Sequence, residues 1–339
     1  MKYRFYPILI VFFAFVLVGC QKEEVMFAGE TMGTTYHVKV IAGHFKRTSY
    51  LKEKIDNRLK EINLSMSIFT PDSEISKFNA LRDTDKKFYI SDDFMQVITT
   101  AENLYGITQG AWDGTISPLV NLWGFGKDKR EKQMPTQEEV VHTLRKVGFH
   151  QIEISAKGKY LRKRNPEVTL NLGSIAKGYG VDQIAELIEK NGFKNYIVEI
   201  GGEIYASRLR PDGKPWRAGI NTPKAEAGVR EVYKVVSLEN QALATSGDYR
   251  NFFQSGGYRY SHIIDPKTGF PIQNGVVSVS VIADNCTFAD GLATALMVLG
   301  PEIGIPIVNN LKDVECLIIV QQPDGYLREF PSKGFKTEG

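Results

Sequence analysis

The stretch Asn285-Cys-Thr-Phe-Ala-Asp-Gly-Leu-Ala-Thr294 runs into Ala-Leu-Met-Val-Leu-Gly300, an apolar, helix-like segment carrying one carboxylate, Asp290, and one hydroxyl, Thr294. Four residues apart on a helix, the two share a face. A carboxylate in apolar surroundings is costly unless it is paired or bound to a metal. Together they offer two hard oxygen ligands, which suit Mg²⁺ rather than a soft metal. Two oxygens do not fill an octahedral shell, so a backbone carbonyl, water and substrate phosphates would supply the rest. Spacing alone serves equally well an Asp290 that pairs with an Arg or caps the helix.

Three further clusters carry chemistry-bearing residues. Gly110-Ala-Trp-Asp113 sets an aromatic beside an acid in a Gly-rich loop, able to stack on and hydrogen-bond to a flat ligand, or to form a surface turn around one buried Trp. Asn171-Leu-Gly-Ser-Ile-Ala-Lys-Gly178 feeds a Gly-Ser turn into a helix whose first N–H groups suit a phosphate. Lys177 in that first turn opposes the helix dipole, a placement that makes sense if an anion sits there. Tyr179 stands where a P-loop needs its Lys, and no G-x-G-x-x-G follows a strand, so both nucleotide motifs are excluded. Ser261-His-Ile-Ile-Asp-Pro266 leaves His262 just before a turn, either exposed or poised as a base. No Gly-x-Ser-x-Gly elbow supports a serine hydrolase.

The elements that must position these groups follow from periodicity. Thr34–Ile41 alternates as a strand, and Leu51, Ile55, Leu59 and Ile62 mark one face of a helix. Helices are expected over 92–106 and from the capping box Thr136-Gln-Glu-Glu139 to near Gly148. Val168–Leu172 reads as a strand, with a helix following as far as Asn191-Gly192. Strands are expected at 196–200, 216–220, 233–238 and 276–282, and a closing hairpin at 314–330. Without regular βαβ alternation this is expected to be an α+β fold, largely antiparallel sheet flanked by helices, in one compact two-lobed unit.

The first twenty residues differ from the rest. Lys2 and Arg4 precede the apolar run Ile8–Val18, then Gly19-Cys20, the layout of an export signal too short for a comfortable membrane span. Leu17-Val-Gly-Cys20 resembles a bacterial lipobox, implying a signal peptide over 1–19, a lipidated Cys20, a tether over 20–30 and a domain over 31–335, exported and lipid-anchored to the membrane of the cell envelope, on the periplasmic side if the cell is Gram-negative. Without residues 1–19 the chain keeps 40 basic against 39 acidic side chains, no broad basic excess for a nucleic-acid partner. Cys286 and Cys316 lie in apolar stretches, and no C-x-x-C exists, so buried thiols are expected rather than a zinc site.

Taken together, the clusters resemble the ApbE family of FAD:protein FMN transferases. The ordered set covers nearly the whole mature chain: Met32-Gly-Thr34, Ser67–Glu74, Gly110–Asp113, Asn171–Gly178, Gly201-Gly-Glu203, Thr245-Ser-Gly247, His262–Pro266 and Ala289–Thr294. The resemblance implies the family's T-fold-like domain. It also implies Mg²⁺-dependent transfer of the FMN half of FAD to a Thr or Ser hydroxyl of an acceptor, releasing AMP. By resemblance, Asp290 and Thr294 hold the metal, with Ser174 donating its backbone carbonyl. Met32, Phe69, Ala111, Trp112, Asp113, Asn171, Lys177, Glu203, Ser246, His262 and Ile264 bind FAD, while Asp290 or His262 takes the proton. Family members often carry Tyr or Trp at Phe69 and Phe at Trp112, exchanges that keep a stacking contact. The implied acceptors carry a Ser/Thr-Gly-Ala-Thr/Ser segment, which this chain lacks, and include electron-transfer subunits of the Rnf or Nqr kind. Metal-dependent FAD hydrolysis to FMN and AMP, and flavin binding without turnover, are the alternative activities.

Overall fold

Strand β13 (Val276–Ala283) is buried at every position, because both faces of the sheet around it are covered. In the computed structural model, which describes residues 22–43, 47–127, 131–224, 226–228, 231–248 and 251–338, that sheet has eight strands. They are β1 (Lys22–Thr31), β2 (Thr34–Gly43), β6 (Tyr196–Ile200), β7 (Glu203–Ser207), β10 (Gln241–Gly247), β13, β14 (Glu315–Gln321) and β15 (Leu327–Pro331), in that spatial order. Every pairing is antiparallel, from Thr31↔Thr34 at one edge to Leu317↔Pro331 at the other. Residues 1–19, read as a signal segment, and Cys20 lie outside the described residues.

Helices α1 (Leu51–Met66), α3 (Asp92–Ile107), α6 (Gly173–Lys190) and α7 (Cys286–Asn309) cover one face. A paired ribbon, β8 (Trp216–Asn221) with β9 (Val232–Leu238), covers the other, its Trp216, Ala218 and Val236 packing on Leu243, Val277 and Leu317. Three shorter helices, α2 (Glu74–Ala80), α4 (Ser117–Leu122) and α5 (Gln137–Leu144), join a small sheet of β3 (Phe88–Tyr89), β5 (Tyr160–Lys163) and β4 (Ile152–Ser155). The hairpin β11 (Phe252–Ser255) and β12 (Tyr258–Ser261) packs on α4 through a separate apolar cluster around Trp123, whose ring stacks on Tyr260. The α+β, antiparallel expectation is met.

Two expectations fail for identifiable reasons. Residues 22–30, read as part of a tether over 20–30, belong to strand β1, since Val25 and Phe27 alternate onto the core cluster around Val38 and Val198. Val168–Leu172 joins no sheet. The side chain of Asn79 stands in for a neighbouring strand: its Oδ1 accepts the Leu170 N–H at 2.7 Å and its Nδ2 donates to the Leu170 carbonyl at 2.8 Å. The Asn171 N–H donates to the Gly114 carbonyl at 2.7 Å, so this backbone is satisfied without a ladder.

Helix α7 is long and apolar enough to cross a membrane by length and composition. It is instead a core helix, broken at Gly300 (φ 68°, ψ 178°) and carrying Pro301 and Pro306. Its first part crosses α6 closely. A Cβ on Gly178 would lie 2.3 Å from the Cys286 carbonyl oxygen, and one on Gly291 would lie 2.6 Å from Ile175 Cγ2 of α6. Glycine at both positions lets the two helices meet.

Candidate active site

The amino end of α6 organises the site. Two adjoining clefts, of 430 Å³ and 470 Å³, meet at Asn171, Gly173 and Lys177, which line both. No side chain caps α6 through its N-cap residue, Leu172; Asn171 Oδ1 accepts only the Gly173 N–H, at 2.9 Å. The helix terminus is therefore available to an anion between the clefts.

The larger cleft is lined on one side by Met32, Ile62, Asn63 and Phe69. Met32 sits in the tight β1–β2 turn with φ 51°, and Phe69 leaves 76% of its surface exposed, a free aromatic face. The smaller cleft gathers Ala111, Trp112, Asp113, Ser174, Glu203, Ser246, His262, Ile264, Asp290 and Thr294. Every candidate site residue among the described residues thus lines one of the two clefts. Two of them differ from expectation in how they act. Trp112 is 2% exposed; its indole N–H donates to Ser174 Oγ at 3.0 Å and its ring packs edge-on against Phe149. It tethers the α6 turn rather than offering a stacking face. The Asp113 carboxylate accepts from the Thr115 N–H, the Thr115 hydroxyl and the Phe149 N–H, so it locks its own loop.

A buried charge cluster forms the floor. Asp290 is 3% exposed, and its Oδ2 accepts the Gly178 N–H at 3.0 Å. Thr294 lies one turn on, its hydroxyl 3.1 Å from Ser246 Oγ. Lys177 bonds Glu203 Oε1, while Glu203 Oε2 is buried without a hydrogen-bond partner. Burial raises the Asp290 carboxyl to about 6, against the pull of Lys177 and the Gly178 N–H. Burial, and then Asp290, push Glu203 up to about 8. Burial works against the Lys177 ammonium, but Asp290 and Glu203 outweigh it and hold it charged. An unpartnered buried carboxylate oxygen beside a lysine marks a place for further polar ligand atoms.

His262 follows β12 into the smaller cleft. Its Nδ1 lies 3.2 Å from the Asn251 carbonyl, which can only accept. The neutral ring therefore carries its proton on Nδ1 and its lone pair on Nε2. Burial lowers its basicity, and Lys132 and Arg259 add to that, keeping the ring neutral and able to accept a proton.

The donor set fits magnesium. Asp290 supplies a carboxylate, Thr294 a hydroxyl and Ser174 a backbone carbonyl, all hard oxygens. Among the described residues no three His, Cys, Asp or Glu side chains converge, so an ion here would draw further oxygens from a substrate.

Some of the framework left weaker traces in the sequence. Asp182 accepts the N–H groups of Cys286 and Thr287, both at 2.8 Å, and so caps α7 from α6. It stands one turn beyond Gly178 on the same helix, and that i,i+4 spacing is the signal that could have found it. Ile116 and Val120 reach the smaller cleft from α4, which no clear periodicity announced.

Residues 32–318 match the family model described as the ApbE family. The FAD:protein FMN transferase of Vibrio cholerae serotype O1 is 44% identical over 324 residues, 95% of each chain. That of Haemophilus influenzae is 41% identical over 342 residues, covering 99% of this chain and 98% of its own. Among solved structures, the flavin transferase ApbE from Vibrio cholerae superposes with a TM-score of 0.84 at 43% identity, covering 93% of this chain and 99% of that one. The apo form of Pseudomonas stutzeri flavinyl transferase ApbE gives 0.83 at 34% identity over 92% and 96%. This chain belongs to the ApbE family.

Proposed function

We propose that this chain is an FAD:protein FMN transferase, moving the FMN moiety of FAD onto a Thr or Ser hydroxyl of an acceptor flavoprotein and releasing AMP. The observation that carries this reading is the pair of clefts joined at the amino end of α6. A ligand with two bulky ends and an anionic middle fits that arrangement, with its pyrophosphate beside Lys177 and the helix terminus.

In the reaction, the acceptor hydroxyl oxygen bonds to the phosphorus nearer the riboflavin. The bond from that phosphorus to the bridging oxygen breaks, and AMP departs with the oxygen. The proton of the hydroxyl goes to a base in the smaller cleft. His262 Nε2 holds a free lone pair for it, and Asp290 is the rival base. Lys177 holds the pyrophosphate charge, and Glu203 keeps the ammonium in place. Asp290, Thr294 and Ser174 would hold Mg²⁺, which supplies charge neutralisation on the pyrophosphate. Phe69 offers its exposed ring to one flat end of FAD.

The lipobox-like Leu17-Val-Gly-Cys20 supports an exported protein anchored by lipid on Cys20. Its acceptors are then exported domains with a Ser/Thr-Gly-Ala-Thr/Ser segment, with subunits of the Rnf or Nqr kind as candidates.

The test uses protein lacking the signal segment, FAD, Mg²⁺ and an acceptor domain bearing Ser-Gly-Ala-Thr. A Mg²⁺-dependent fluorescent acceptor band on a denaturing gel, with AMP released, is expected. AMP and free FMN without a labelled band would make the chain a hydrolase, and no product at all would leave a binding protein.

A further inference from the structure

Most backbone donors in the first turn of α6 are already committed. The Gly173 N–H goes to Asn171 Oδ1 at 2.9 Å, and those of Ile175 and Ala176 go to the Leu172 carbonyl at 3.0 and 2.9 Å. The Ser174 N–H has no partner among the described residues. A helix start leaves such donors for capping groups, water or a ligand. This one belongs to a residue that lines the smaller cleft together with Lys177 and Asp290.

The side chain of Ser174 is uncommitted in the same sense. Its Oγ accepts the Trp112 indole N–H at 3.0 Å, while its own O–H meets no acceptor among the described residues. An indole nitrogen only donates, so the serine oxygen must be the acceptor and the hydroxyl hydrogen points elsewhere. Accepting that bond also polarises the hydroxyl and makes it a better donor. The indole is held fast. Trp112 is 2% exposed, its ring stands edge-on to Phe149, and a Cβ on Gly114 would lie 3.0 Å from Trp112 Cη2. Gly114 in turn offers the carbonyl that takes the Asn171 N–H at 2.7 Å, so the Trp112 loop and the segment entering α6 frame Ser174 together.

We infer that Ser174 presents its N–H and O–H as a two-donor grip on the pyrophosphate of FAD, with Trp112 as the positioning residue that turns the hydroxyl into the cleft. This rests on the reading of FAD as the substrate. Lys177 supplies a compact charge on a flexible stem, whereas two fixed donors select the direction of a phosphate oxygen. The Ser174 carbonyl points the other way along the helix, so the metal role read for it does not compete with the donors.

The test measures the FAD dissociation constant by flavin fluorescence, using the full chain in mild detergent with Mg²⁺ and no acceptor. Wild type, Ser174→Ala, Trp112→Phe and the double variant form a cycle. Ser174→Ala removes a hydrogen bond to a charged group and should weaken FAD about tenfold or more. Trp112→Phe keeps a buried ring but frees the hydroxyl to rotate, and should weaken FAD by roughly a few-fold. In the Ser174→Ala background it should cost nothing further, because the hydroxyl it orients is gone. Urea unfolding should nonetheless find the double variant more stable than Ser174→Ala, since phenylalanine removes the indole N–H that the single change strands. In turnover the losses should fall on KM for FAD, with kcat within about twofold, because the donors serve bound substrate and transition state alike.

FAD affinity in Ser174→Ala within about twofold of wild type overturns the grip. A Trp112→Phe loss that persists undiminished in the double variant overturns the positioning role. Wild-type protein that binds FAD yet labels no acceptor fails as a transferase while the cycle still decides the grip; wild-type protein that binds no FAD overturns both.

Discussion

Gly178→Ala separates the stability of this fold from its chemistry. The added methyl would lie 2.3 Å from the Cys286 carbonyl oxygen, 2.7 Å from its carbon and 2.9 Å from Asp290 Cβ. Two of these neighbours are backbone, so α6 and α7 must part by about 1 Å to restore ordinary contact. Such overpacking costs about 1–3 kcal/mol, offset by the roughly 1 kcal/mol that Ala gains over Gly inside a helix. The net loss of stability is about 0–2 kcal/mol, which the domain should survive. Activity should suffer far more. Asp290 hangs on the Gly178 N–H, and a displacement of about 1 Å at a catalytic constellation costs on the order of 10²-fold in rate. Urea unfolding measures the first quantity, and kcat/KM for flavin transfer to a soluble acceptor measures the second. Gly106→Ala on α3, where nothing lies within 4 Å, is the control, expected to be fully active and no less stable. Undiminished kcat/KM in Gly178→Ala would refute the claim that the helix crossing sets the position of Asp290.

Three other perturbations have definite outcomes. Asp182→Ala strands the N–H groups of Cys286 and Thr287, which should cost about 2–4 kcal/mol; Asp182→Asn keeps an acceptor oxygen for one of the two N–H groups and sets an NH2 donor against the other, so in the same urea titration it should recover no more than about half of that. Lys163 is 1% exposed, and its ammonium donates to the Asn79 and Leu81 carbonyls. Burial, with Arg82 adding to it, lowers its pKa from 10.5 to about 8. Below about pH 8 both states keep the proton, whereas between about 8 and 10.5 only the unfolded chain does, so stability should rise with pH by on the order of 3 kcal/mol. That rise should vanish from Lys163→Met when the two proteins are compared by urea unfolding across the window. Chelation with EDTA should abolish flavin transfer, and Thr294→Val should raise the Mg²⁺ concentration needed for half-maximal rate while leaving urea stability nearly unchanged; an unaltered Mg²⁺ requirement would remove Thr294 from the ligand set.

What the sequence made legible was whatever repeats or caps locally. The amphipathic face of α1, the capping box at Thr136 and the Gly-Ser turn into α6 each declare themselves within a few residues. Asp290 and Thr294 stood out because a carboxylate inside an apolar helix needs a reason. The hidden features are those in which one segment completes another far away in the chain. Asn79 replaces a strand neighbour for Leu170 across 91 residues, and Asp182 caps a helix that begins 104 residues later. Neither contact has a period, so no local pattern reports it. Trp112 shows the same limit at the level of one side chain. Its loop reads equally well as a platform or a turn, and only the packing of Phe149 and the hydroxyl of Ser174 decide that the ring faces inward. The tether reading over 20–30 misled for the opposite reason. Its alternation of Val25 and Phe27 with exposed neighbours is short and polar, and it becomes a strand only because β2 offers an unpaired edge beside it.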